Sequence, residues 1–158
     1  MPNWCENHLT VTHADAAQLQ RVQDAYVRRE LFQEFVPCNK DEYTAYSWRV
    51  ENWGTKWDVG GEASDFDMVD NQLIVRFDTA WAPPLGFYEK LTALGFDVNA
   101  YYYEPGMEFC GRWSSEDGDD EYAIEGNSDW VINNIPVDID HHMGISSQLA
   151  DWEEEEAE

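Results

Sequence analysis

At 158 residues, with 43% hydrophobic and 15% aromatic content, the chain is long enough to bury one sizeable core and too rich in large rings for global disorder. Asp and Glu number 33 against nine Lys and Arg, a net charge of −24, which excludes nucleic-acid binding through a basic surface. No apolar run approaches the ~20 residues of a membrane helix, and MPNWCENHLTV lacks the basic end and apolar centre of a signal peptide, so a cytoplasmic protein that contacts no membrane is expected.

In chain order, residues 7–12 read as a strand, with Leu9 and Val11 alternating against polar neighbours. Residues 14–30 read as a helix whose apolar side carries Leu19, Val22 and Tyr26, with Asp15 placed to cap it. A short apolar segment, LFQEFVP, follows. Residues 41–52 suit a shorter helix carrying Tyr43, Tyr46 and Trp48, closed by a turn at Gly54. A strand is expected around Phe66 and Met68, with Asn71 turning into the strongest strand pattern of the chain, residues 72–79, predicted as a central strand. Pro83 and Pro84 open a second helix that ends at Gly95, and strands are expected over 96–103 and 107–113. An acidic loop, residues 114–120, leads to a short strand over 121–124. Residues 145–152 suit a last turn or two of helix before a frayed acidic tail.

The core order, strand–helix–strand–strand–helix–strand, predicts an α+β fold: a ferredoxin-like antiparallel sheet with two helices on one face. The domain spans residues 1–126 with an insertion at about 31–60, and residues 127–158 form an acidic C-terminal extension.

Charge is spread unevenly. From Trp113 to the end there are 15 acids and no base, a stretch that either solvates the surface or meets something strongly positive. Cys5, Cys38 and Cys110 are odd in number and widely spaced, without zinc-ligand spacing, so reduced thiols are expected. There is no P-loop, GxGxxG, HExxH or GxSxG. The run EDGDDE has its glycine misplaced for a calcium loop, and adjacent His141 and His142 read as exposed rather than ligating. His8 and His13 read as ordinary polar-face residues, and no nucleophile–base–orienter set can be assembled. No catalytic residue, metal or cofactor is therefore assigned.

Four runs stand out together: MPNWCENHLTV, NWGTKWD (52–58), FDTAWAPP (77–84) and MEFCG (107–111). In this order they resemble the YubB-type family of phage and plasmid proteins, described as ferredoxin-like. The resemblance spans roughly residues 1–122 and implies a fold and a setting in bacterial mobile elements, with no catalytic residues to carry over. Physically, Gly54 allows a sharp turn, and Trp53, Trp57 and Trp81 are expected to be buried beside pinned turns. Asn52, Thr55, Lys56 and Asp58 form either a polar pocket for an anion or an amide, or a plain turn with Lys56 paired to Asp58. In MEFCG, Glu108 and Cys110 fall on one strand face, and Cys110 reads as a buried structural thiol with a raised pKa.

Two functional readings follow. The first is an acidic inhibitor that mimics nucleic acid and blocks a host defence nuclease or CRISPR effector. Its partner is a positively charged nucleic-acid-handling protein, met through Glu116, Asp117, Asp119, Asp120 and Glu121. The alternative is a small polar-ligand module, or an enzyme, with its site around Lys56. Carboxylates in rows on a convex face favour the first; a concave aromatic-lined cleft favours the second.

Overall fold

The computed structural model describes residues 3–157. In β1 (Trp4–Thr12), Cys5, Asn7, Leu9 and Val11 are buried while Glu6, His8 and Thr10 between them are half-buried, the two-residue period of a strand. Asp15 accepts the Ala17 amide and starts α1 (Ala16–Val27), which buries Leu19, Val22, Ala25 and Tyr26. The helix ends at Val27 rather than at residue 30. Arg29 turns left-handed (φ 65°), and the amides of Arg29 and Glu30 return to the carbonyls of Tyr26 and Ala25. The LFQEFVP segment becomes α2 (Leu31–Phe35), and Asp41 caps α3 (Glu42–Asn52) through the amides of Tyr43 and Thr44.

A 3₁₀ turn leads into β2 (Phe66–Val69) and β3 (Gln72–Ala80), then α4 (Leu85–Ala93), β4 (Asp97–Glu104), β5 (Phe109–Ser114) and β6 (Gly118–Ala123). Three helices close the chain: α5 (Ser128–Asn134), α6 (Val137–Met143) and α7 (Ile145–Ala157). The sheet is antiparallel throughout, in the order β2-β3-β1-β4-β5-β6. Its first four strands with α1 and α4 make the ferredoxin-like sandwich, and the β5–β6 hairpin extends it beside β4. β3 is an interior strand, between β1 and β2.

One sheet face is sealed by α1, α2 and α4 over Leu9, Val11, Leu73, Val75, Phe77, Val98 and Ala100. Aromatic contacts knit this core, with Phe32 4.8 Å from Phe87 and 5.6 Å from Trp53 between ring centroids. The NWG turn closes onto the start of α4. A Cβ on Gly54 (φ 97°) would sit 2.8 Å from the Leu85 amide nitrogen, so only glycine fits there.

The other face differs from expectation. Val131, Ile135, Ile139, Met143 and Ile145 of the last three helices pack on Tyr101, Tyr103 and Cys110, forming a second core. The expected frayed tail is continuous helix in α7, because Glu153 caps α5 through the Ser128 amide (2.8 Å) and hydroxyl (2.7 Å). The acidic loop is also shorter than predicted. Ser114 pairs with Gly118, so Asp119, Asp120 and Glu121 belong to β6.

Candidate ligand cleft

The C-terminal helices cover the second face over β4 and β5 and leave it open over β1 and β3. On the outer side, β2 pairs with β3 only as far as Phe66 opposite Val75. Beyond that point the Tyr26 hydroxyl donates to the Arg76 carbonyl and the Thr55 hydroxyl to the Ala80 carbonyl (2.8 Å), holding the 57–60 loop along the strand edge. The result is a cleft of about 690 Å³. Its floor is Glu6, His8, Arg76 and Asp78; its walls are Trp4, Trp57, the 58–60 loop and His142 with Met143.

Register sets the floor chemistry. Glu6 lies directly opposite Asp78, and His8 opposite Arg76, pairs whose Cβ atoms stand ~4.5–5.5 Å apart. Burial raises the pKa of both carboxyls, and the charge of Asp78 adds to the rise at Glu6. Burial lowers the pKa of His8, with Arg76 and His142 pushing the same way. His8 meets His142 edge to face at 5.2 Å, and His142 stacks on Tyr101 at 4.1 Å. The His8 Nδ1 atom is buried with no hydrogen-bond partner.

Among the described residues, the side chains of Glu6, Arg76 and Asp78 make no hydrogen bond or salt bridge, and this separates them from the carboxylates that build the fold. Asp58 accepts the amides of Phe32, Gln33 and Val59. Buried Glu104 accepts those of Gly106 and Met107, and Asp140 that of Ser146.

The four residues singled out in NWGTKWD do not converge. Asn52 donates to the Trp48 carbonyl (2.8 Å) and Thr55 turns into the core. Lys56 points outward, its Nζ 4.3 Å from the Trp57 ring centre, 5.5 Å from Trp81 and 5.8 Å from Tyr46. Asp58 serves the N-terminus of α2 and is not paired with Lys56; burial raises its pKa while its three amide donors pull it down. Trp53 is buried as expected, with its indole N–H on the Val36 carbonyl (2.7 Å). Trp57 and Trp81 are not: they are 45% and 50% exposed. Trp81 holds a left-handed backbone (φ 74°), a strain of ~1–2 kcal/mol for a bulky residue, where its amide meets the Asn3 carbonyl at 2.8 Å.

Glu116, Asp117, Asp119, Asp120 and Glu121 are all exposed, at the sheet edge opposite the cleft. Strand alternation sends Asp119 and Glu121 to one side and Asp120 to the other. Asp119 accepts the Tyr102 hydroxyl, and Asp117 lies 3.9 Å from Arg112. Glu108 sits in a left-handed turn before β5, off the strand face assigned to it. The Cys110 pKa is pushed up to about 12 by burial first, then by Asp140 and Glu121.

The cleft floor escaped sequence reasoning because Glu6 and Asp78 are 72 positions apart and only the register joins them. The available signal was the polar alternate positions of two strands, Glu6 and His8 on one, Arg76 and Asp78 on the other. Three of the four conspicuous runs meet here, supplying Trp4 with Glu6 and His8, Trp57 with Asp58, and Asp78 with Ala80.

Among the described residues no helix is long and apolar enough to cross a membrane, and no group of three or more His, Cys, Asp or Glu is gathered as metal ligands. No curated protein and no solved structure matches the chain. Residues 52–134, just over half its length, match the ferredoxin-like domain in Api92-like protein, from the NWGTKWD run through β6 into α5. With the sheet order of that fold and a match across most of its strands, the chain belongs to the family of Api92-like proteins that carry this ferredoxin-like domain.

Proposed function

We propose that this chain is a binding module for a small polar ligand seated in the cleft over β1 and β3. One observation carries the reading: the ionisable groups of the cleft floor, half-buried Glu6 and exposed Arg76 and Asp78, are uncommitted, whereas Asp58, Glu104 and Asp140 serve as caps and turn anchors. A volume near 690 Å³ lies within the range of small-molecule sites, and Trp4 and Trp57 add apolar walls beside the charges. Two facing carboxylates favour a ligand with a cationic nitrogen, which relieves their mutual repulsion. Such binding needs both acids ionised. Their pKa values are raised, so affinity increases as pH rises through and above the ordinary carboxylate range.

The test is a calorimetric and thermal-shift screen of small amines, amino acids and uncharged polar compounds. Wild type is compared with Glu6→Gln/Asp78→Asn. An amine that raises the melting temperature of wild type alone supports the reading; hits that bind both proteins equally refute it.

A second reading retains the acidic hairpin. Glu116, Asp120 and Glu121 are exposed and make no salt bridge among the described residues, and the stretch after Arg112 contains no base to offset them. Together with the motif resemblance to phage and plasmid proteins, this supports contact with a positively charged nucleic-acid-handling protein of a bacterial host. Changing all five hairpin acids to Asn or Gln then weakens capture of that partner at low salt. Unchanged affinity removes this surface from consideration.

A further inference from the structure

On the far side of Trp57 from the cleft lies a second pocket, of about 330 Å³, lined by Lys40, Arg49, Lys56, Tyr46, Trp57 and Glu42, with Ala45 at its back. Three of the nine basic residues of the chain meet there. Four of the nine basic residues, Arg21, Arg28, Arg29 and Arg112, have a carboxylate within 4 Å, and among the described residues Arg76 and Lys90, which stand apart from one another, do not. Among the described residues, Lys40, Arg49 and Lys56 have none. The Nε atom of Arg49 is buried without an acceptor, its guanidinium held 5.3 Å from the Trp53 ring centre. Lys56 rests its ammonium against three rings, contacts that leave its N–H donors free.

From these observations we infer an anion site that takes a phosphate carried on a planar heterocycle. The anion sits between the Lys56 ammonium and the terminal nitrogens of the half-buried Arg49, which make no hydrogen bond or salt bridge among the described residues. The ring lies against the exposed rings of Tyr46 and Trp57, which give every planar heterocycle a face to stack on. The net charge of −24 does not forbid this, because charges beyond ~8 Å are screened at physiological ionic strength. The carboxylate of Glu42 in the lining favours an anion small enough to stay on the Arg49 side. This site is separate from the cleft reading, since it stands on different residues and the opposite charge.

The experiment is titration calorimetry on the full chain with three probes: a nucleoside 5′-monophosphate, the same nucleoside without phosphate, and inorganic phosphate. The monophosphate is expected to bind best, the other two at least tenfold more weakly, with quenching of tryptophan fluorescence and weaker binding as salt rises. Arg49→Gln and Lys56→Gln each reduce the affinity at least tenfold while circular dichroism and melting temperature confirm folding. Glu6→Gln/Asp78→Asn leaves it unchanged, which separates this site from the cleft. Absence of binding by all three probes overturns the inference, as does equal binding of nucleoside and monophosphate. Full retention of affinity in the folded Arg49→Gln and Lys56→Gln proteins overturns it as well.

Discussion

The two faces of the sheet are built from the same strands and have opposite fates. On the face under α1, α2 and α4, polar groups are few and most are engaged: Asn7 donates to the Cys5 carbonyl (3.0 Å) and the Thr79 hydroxyl (2.9 Å), which in turn donates to Ala82 (2.6 Å), while the buried Tyr88 hydroxyl has no partner. On the other face, α5–α7 seal β4 and β5, and the β1–β3 half stays open with charged side chains that nothing engages. Buried polar groups are costly unless paired, so a sealed face satisfies most of its own. On the open half, Arg76 and Asp78 are exposed and keep their water, so their charges remain free to meet a ligand in the concave opening.

This contrast is tested most strongly in the sealed face. Trp53→Ala removes a fully buried indole and its bond to Val36, and is expected to cost ~3–5 kcal/mol, whereas Trp57→Ala at the cleft wall leaves denaturant stability nearly unchanged. Equal losses in urea unfolding would erase the distinction between core and wall. The next effect is at the second core. Ile139→Ala should cost roughly 2–5 kcal/mol within a single unfolding transition, because Ile139 is buried against the sheet. A separate early transition would make α5–α7 an appendage rather than a layer.

Smaller again is the cap at the cleft rim. Asp58→Ala strips two amides at the start of α2, Phe32 and Gln33, and the loop amide of Val59 of their acceptor, and is expected to cost ~0.5–2 kcal/mol by chemical denaturation. The smallest effect is on pH. His8 and His142 both have lowered pKa values, so the folded state resists their protonation. The penalty begins as pH falls through the unfolded value of ~6.5 and is complete below the folded values. Wild type should therefore lose melting temperature relative to His8→Gln/His142→Gln between about pH 7 and the low end of the histidine range. Parallel profiles for the two proteins would show that α6 docks without regard to these rings.

Local patterns were legible where one element satisfies itself. The alternation in residues 72–79, the Asp15 cap and the prolines before α4 each act within a few residues, and each appears in the structure. The Trp readings divide on the same principle. Trp53 precedes a glycine whose turn presses against α4, so its burial follows from local geometry. Trp57 and Trp81 take their exposure from where the 57–60 loop and the left-handed turn at Trp81 cross the strand edge, which no spacing reveals. The C-terminal layer was readable in part. Val131, Ile135, Ile139 and Met143 recur every fourth residue, but the acid density around them suggested a solvated extension.

Composition and periodicity alone determined the acidic character, the α+β class and the order of the main strands and helices, because charge and apolar period are sums over neighbours in the chain. Tertiary structure decided which acids cap helices and which stay free, that Glu6 faces Asp78, and that Lys40, Arg49 and Lys56 share one pocket. The physical reason is that strand register and the crossing of loops over a sheet edge set distances between residues far apart in sequence. A hydrogen bond or an ion pair depends on those distances and not on separation along the chain.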